Sequence, residues 1–161
     1  MCRFEEFKNI NQTSVDAIRC FPNHEILARF DVEEILELIP SEDDGNYGKK
    51  IILNIDSDTS ISVSIASKKL LTFKKSITCA QCGVNGNYFL LMRNPAANGR
   101  ASLELFSDGD KLFTRDHIIP SSLGGSNEMS NSQTMCLLCN SRKGSKLPNT
   151  CVNQFEVDTA Q

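Results

Sequence analysis

Residues 114–144 read TRDHIIPSSLGGSNEMSNSQTMCLLCNSRKG, and the reading of this stretch decides how the rest of the chain is understood. It holds His117, one of only two histidines, directly after Asp116 and at the end of a strand-like run. It closes on a Cys-x-x-Cys, Cys136 and Cys139, followed at once by Asn140 and then by Arg142 and Lys143. A second Cys-x-x-Cys stands far upstream at Cys79 and Cys82. Two metal sites can be read from these residues. One is a four-thiolate zinc site that holds the fold, and the other is an Asp/Asn/His site that does chemistry.

The zinc reading rests on spacing. In a Cys-x-x-Cys knuckle the turn lets two thiolates take adjacent corners of a tetrahedron around Zn²⁺, so Cys79, Cys82, Cys136 and Cys139 supply all four corners. The 53 residues between the pairs exceed the span of a simple zinc ribbon. Loop-closure cost grows only logarithmically, so a metal clip can close an insertion that folds on itself. A closed set of four cysteines offers zinc no open position, which makes its role structural. Cys2, Cys20 and Cys151 have no matching spacing and read as ordinary thiols.

Composition sets the frame. At 161 residues, 40% of them hydrophobic, the chain has room for one compact domain and a smaller appendage. No run approaches the roughly 18 apolar residues of a membrane span, and MCRFEEFKNI has no apolar signal-peptide core, so no membrane partner is expected. An intracellular, cytoplasmic setting is expected, where cysteines serve as thiols and metal ligands rather than as a disulfide framework. Net charge is −3, but its distribution is uneven. Residues 1–78 carry 10 Lys/Arg against 13 Asp/Glu, whereas residues 79–151 carry 7 against 5. The candidate catalytic segment is mildly basic on an acidic chain, which permits phosphate binding without demanding it.

Along the chain, residues 13–20 suggest a short helix. Asp31 with Glu34 forms a capping-box pattern opening a helix that Pro40 closes, with Val32, Ile35, Leu36 and Ile39 on one apolar face. An acidic linker, SEDDGNYG, follows. Residues 51–56 and 61–66 alternate apolar and polar across a turn-rich SDTS, which predicts a β-hairpin. Lys68, Lys69, Lys74 and Lys75 flank a further apolar run, LLTF, and suit either edge-strand protection or a phosphate backbone. Strands are expected at 88–93 and 102–107, with a mobile NPAANGR loop between them. After the turn Asp108-Gly109-Asp110, residues 111–115 return as the partner strand. A loop to about Ser130, a helix from about Cys139 to Lys146 stopped by Pro148, and a frayed tail at 151–161 complete the expectation.

Asp116 is a hard oxygen donor suited to Mg²⁺ or Mn²⁺, and Asn140 supplies a second, neutral oxygen if the chain folds back against the strand. Asp116 and His117 cannot share a strand face, so the strand must end or bend there. Two plainer roles stand beside these: Asn140 suits a helix N-cap, and Asp116 has Arg115 as a neighbouring partner or serves to orient His117.

Asp116-His117-Ile118-Ile119-Pro120, Gly124-Gly125, Asn131 and Cys136-Leu-Leu-Cys139-Asn140-Ser-Arg-Lys143-Gly144 together resemble the HNH, or ββα-metal, endonucleases, in their zinc-stapled phage and bacterial branch. The resemblance covers roughly residues 79–147. It implies an α+β fold, a ββα-metal core stapled by the four-cysteine zinc, with an N-terminal α/β extension that contains the hairpin. His117 is then the general base, Asp116 and Asn140 hold the catalytic Mg²⁺ or Mn²⁺, and Asn131 braces the loop of the catalytic set. Arg115, Arg142 and Lys143 are candidates for phosphate contacts. The substrate implied is nucleic acid, with DNA expected ahead of RNA, in a bacterial or phage-infected cell, with a homodimer as one route to double-strand cleavage. A catalytically silent zinc-stabilised binding or interaction module, and a nuclease acting on RNA, are the competing readings. The expected division is residues 1–78 for specificity, dimerisation or regulation, 79–150 for the nuclease domain and 151–161 for the tail.

Overall fold

A computed structural model describes residues 21–41, 48–96 and 100–147. The expected helix at 13–20, the acidic linker at 42–47, the centre of the NPAANGR loop, Pro148, the tail, and Cys2, Cys20 and Cys151 lie outside the described residues. The chain is a mixed α+β fold in the order β1 (Glu25–Asp31), α1 (Val32–Leu38), β2 (Lys50–Asn54), β3 (Ser60–Ser64), α2 (Lys68–Lys75), β4 (Tyr88–Arg93), β5 (Ala101–Phe106), β6 (Phe113–His117), β7 (Ser132–Cys136) and α3 (Leu137–Lys143). Its strands form three antiparallel sheets, β1-β4-β5, β2-β3 and β6-β7.

Strand β4 is the middle of the largest sheet and is buried on both faces, which explains its uninterrupted apolar sequence, YFLLMR. Phe89 and Leu91 face the main core, while Tyr88, Leu90 and Met92 join Phe106 and Leu112 in a second cluster. The main core runs from Ala28 through Phe73 to Cys139, so residues on both sides of position 78 share one apolar interior. Helix α1 forms as its capping box requires: the Glu34 carboxylate accepts the Asp31 N–H at 3.1 Å, and Val32, Ile35 and Ile39 are buried. The β2–β3 hairpin also lies where the alternation places it.

Two expectations are corrected. The LLTF run is not an edge strand but the middle of α2, where Leu70, Leu71, Thr72 and Phe73 are all buried. A half-buried strand would expose alternate residues, whereas a helix packed on several sides buries a consecutive run. Ser67 starts it, its side chain accepting the Leu70 N–H at 3.2 Å. Each α2 lysine has an oxygen partner on another element or loop. Lys68 donates to the Asn127 carbonyl at 2.7 Å, Lys69 pairs with Glu104 at 2.5 Å, Lys74 donates to the Leu36 carbonyl and Lys75 to the Met129 carbonyl at 3.4 Å. They tie α2 to the neighbouring elements.

The second correction concerns the partner of β6. Beyond the 108–110 turn Leu112 bridges back to Phe106, and residues 113–117 pair instead with β7, a strand in a stretch for which no element is expected. Strand β1 likewise forms in a stretch with no clear sequence signal.

Phe73 is fully buried in the main core, with its ring centroid 6.3 Å from that of Phe89. Phe73→Ala is expected to destabilise the fold by about 3–5 kcal/mol in chemical denaturation. A loss under about 1 kcal/mol would show that α2 is not packed as described.

Candidate nuclease site and metal centre

Strand β6 sorts its side chains by period two. Thr114 and Asp116 face α3: the Asn140 amide nitrogen donates to Thr114 Oγ1 at 2.8 Å, and Lys143 Nζ lies 3.0 Å from Asp116 Oδ2. Arg115 and His117 face the loop that joins β6 to β7, where both meet Asn127. The strand ends at His117, so the adjacent aspartate and histidine point to opposite faces, as their neighbourhood in sequence requires. Asn140 and Lys143 are three apart on α3 and therefore present one face to β6.

Asn140 is not the N-cap. Cys136 holds that position, the helix begins three residues before Asn140, and it ends at Gly144 with φ 53°. Asp116 does not pair with Arg115. Lys143, only 4% exposed, contacts both Asp116 carboxylate oxygens and donates to the His117 carbonyl at 2.7 Å, while Gln133 Nε2 donates to Asp116 Oδ2 at 2.8 Å. Lys143 is thus a buried brace. Arg115 is likewise engaged with Ser132 and Asn127, and of the three candidate phosphate contacts only Arg142 is exposed.

The loop is built around Asn131. Its Oδ1 accepts the Ile119 N–H at 2.8 Å, and its Nδ2 donates to the carbonyls of Ile119 and Ser126 at 3.0 and 2.8 Å. Gly124 turns the chain with φ 84°. Gly125 is required for close approach, since a Cβ there would lie 1.8 Å from the Ile119 carbonyl oxygen.

The four expected cysteines converge. The sulfurs of Cys79, Cys82, Cys136 and Cys139 all lie within 4.8 Å of one another, and Cys82 and Cys136 are 3.9 Å apart. Thiolates about 2.3 Å from a tetrahedral Zn²⁺ sit roughly 3.8 Å from each other, so this set can hold a metal ion. The upstream knuckle reaches its partner through the Ala80 N–H, which donates to the Thr134 carbonyl of β7 at 2.9 Å, while Gly83 turns with φ 72°. Burial raises the Cys79 thiol, but backbone N–H donors at Cys136, Cys82 and Gln81 outweigh it and bring it down to about 7. Burial and neighbouring sulfurs push Cys136 and Cys139 upward, which a bound cation would reverse.

For a hard divalent ion the donor chemistry fits, with little room to spare. A carboxylate has roughly four lone-pair sites, and Lys143 and Gln133 make three contacts with Asp116. Asn140 spends its nitrogen on Thr114, leaving its oxygen outside that bond. These are hard oxygen donors of the kind Mg²⁺ and Mn²⁺ take.

Residues 107–156 match a family described as HNH endonuclease. No curated protein matches the chain, and no solved structure does either. The match over this segment points to nuclease activity in general and to nucleic acid as the substrate class. Among the described residues no helix is long and apolar enough to cross a membrane. Thr114, Asn127 and Gln133 were missed as participants, because each acts through a partner that becomes adjacent only when the hairpin closes.

Asn131→Ala strips partners from the Ile119 N–H and from two carbonyls. It is expected to cost about 1–3 kcal/mol of stability, read by thermal or denaturant unfolding, with the four-cysteine site still loading metal. Unchanged stability would contradict the bracing role.

Proposed function

We propose that the chain is a metal-dependent endonuclease that hydrolyses phosphodiester bonds, with DNA as its substrate. The observation that supports this best is the division of labour on β6, which turns Asp116 toward Asn140's helix and leaves His117 at the end of the strand on the other face. In this reading neutral His117 takes the proton from a water that attacks phosphorus in line. Asp116 and Asn140 hold Mg²⁺ or Mn²⁺, which when bound stabilises negative charge on the phosphate and on the departing oxygen. Asn131 keeps the connecting loop in shape, and exposed Arg142 contacts backbone phosphate. The four cysteines hold structural Zn²⁺. Residues 79–150 carry the chemistry as a ββα-metal unit, and residues 1–78 supply specificity, dimerisation or regulation.

A second reading is favoured by one specific observation. The Lys143 ammonium already neutralises Asp116, an arrangement that also suits a zinc-stabilised binding module without turnover.

Nicking of supercoiled plasmid separates the two. Mg²⁺ or Mn²⁺ is expected to support nicking and EDTA to stop it, and His117→Ala is expected to lose at least about a hundredfold while keeping its zinc. If the wild-type protein, fully zinc-loaded, leaves plasmid, branched DNA and RNA intact, the binding module is the correct reading.

A further inference from the structure

His117 does not stand alone on its face of β6. Its Nε2 lies 3.2 Å from Asn127 Oδ1, and the same oxygen accepts from Arg115 Nη1 at 3.0 Å. Arg115 completes a fork on this residue, donating from Nη2 to the Asn127 carbonyl at 3.2 Å. The fork is itself fixed, because Arg115 Nε donates to Ser132 Oγ at 2.9 Å and Ser132 Oγ donates to the Glu128 carbonyl at 3.1 Å. Lys68 adds a donor to the Asn127 carbonyl from α2, at 2.7 Å.

The chemistry of these groups decides the direction of each bond. A guanidinium has five donors and no acceptor, so the prong of the Asn127 amide facing Arg115 must be the oxygen. Turning the amide over would set N–H against N–H. An amide oxygen only accepts, so the histidine nitrogen facing it must carry the proton. In a neutral imidazole the other nitrogen is then the bare acceptor. Arg115 therefore dictates the orientation of Asn127, and Asn127 dictates the tautomer of His117.

We propose that Asn127, locked by Arg115, is a positioning residue that holds His117 as its Nε2–H tautomer and leaves Nδ1 as the proton-accepting atom. This rests on the nuclease reading for its use in catalysis, and on geometry alone for the tautomer. Arg115 is accordingly assigned inward, to the base, rather than outward to phosphate.

The test is histidine-ring nitrogen NMR on the zinc-loaded chain at alkaline pH, where imidazole is neutral. Only two histidines need assigning, His117 and His24, and His117→Ala identifies the signal. The expected spectrum shows His117 as a single Nε2–H tautomer whose ring proton is protected from exchange with water. An Nδ1–H signal, or the averaged shifts of a free imidazole, would overturn the proposal without any variant at Asn127. In Asn127→Leu the protected proton is expected to vanish and the shifts to move to the averaged mixture. In Asn127→Asp, which keeps an acceptor beside Arg115, the protected proton is expected to return.

Plasmid cleavage then reads the consequence. Asn127→Leu is expected to lower kcat by about ten- to a hundredfold with KM changed less than about twofold, and Asn127→Asp to recover part of the loss. A protected Nε2–H retained in Asn127→Leu would assign the tautomer to something else and sink the proposal. If the wild-type spectrum is as expected but no nucleic acid is cut, the tautomer assignment stands and the nuclease reading alone falls.

Discussion

The convergence of four cysteine sulfurs at the junction of β7 and α3 is the constraint on which the rest of the site depends. The hairpin of β6 and β7 has two five-residue strands, and α3 has seven residues. A two-stranded hairpin is at best marginal in water, and a helix of that length has no stability of its own. The cysteines join these weak pieces where the chain passes from strand to helix. Cys136 is both the last residue of β7 and the N-cap of α3, and Cys139 sits one turn in. Fixing those two sulfurs against Cys79 and Cys82 fixes the helix direction, which in turn brings Asn140 to Thr114 and Lys143 to Asp116.

Helix α2 supplies the second support. Thr134 of β7 donates through Oγ1 to the Ser76 carbonyl at 2.6 Å, and Lys68 and Lys75 hold the carbonyls of Asn127 and Met129 in the connecting loop. The N-terminal half thus contributes directly to the surroundings of His117, even though its sequence carries no motif of its own. These two lysines spend their donors on backbone carbonyls of the connecting loop.

Much of the candidate site was legible because it is written in local spacing. Two knuckles predict a convergent sulfur set, and adjacency of Asp116 and His117 on a strand predicts opposite faces. Asn131, Gly124 and Gly125 signalled a shaped loop. What escaped was set by tertiary pairing. No element is expected for SQTMC, yet β6 recruits it as a strand with Thr134, Met135 and Cys136 buried. KKLLTFKK has no clear period, so only the Ser67 cap and burial on several sides decide for a helix. Lys143 looked like a phosphate ligand because its partner, Asp116, lies far back along the chain and meets it only after the hairpin has closed.

The central claim is that this small unit keeps two chemically distinct cation positions, sulfur at the junction and oxygen beside β6. Titration of Mn²⁺ followed by electron paramagnetic resonance, with zinc measured on the same samples, tests it most directly. The expected result is one Mn²⁺ per zinc-loaded chain, bound more than about tenfold more weakly in Asp116→Asn while zinc content stays the same. Equal Mn²⁺ binding in the variant, or none in the wild-type chain with or without nucleic acid, would contradict the assignment of Asp116 as a metal ligand.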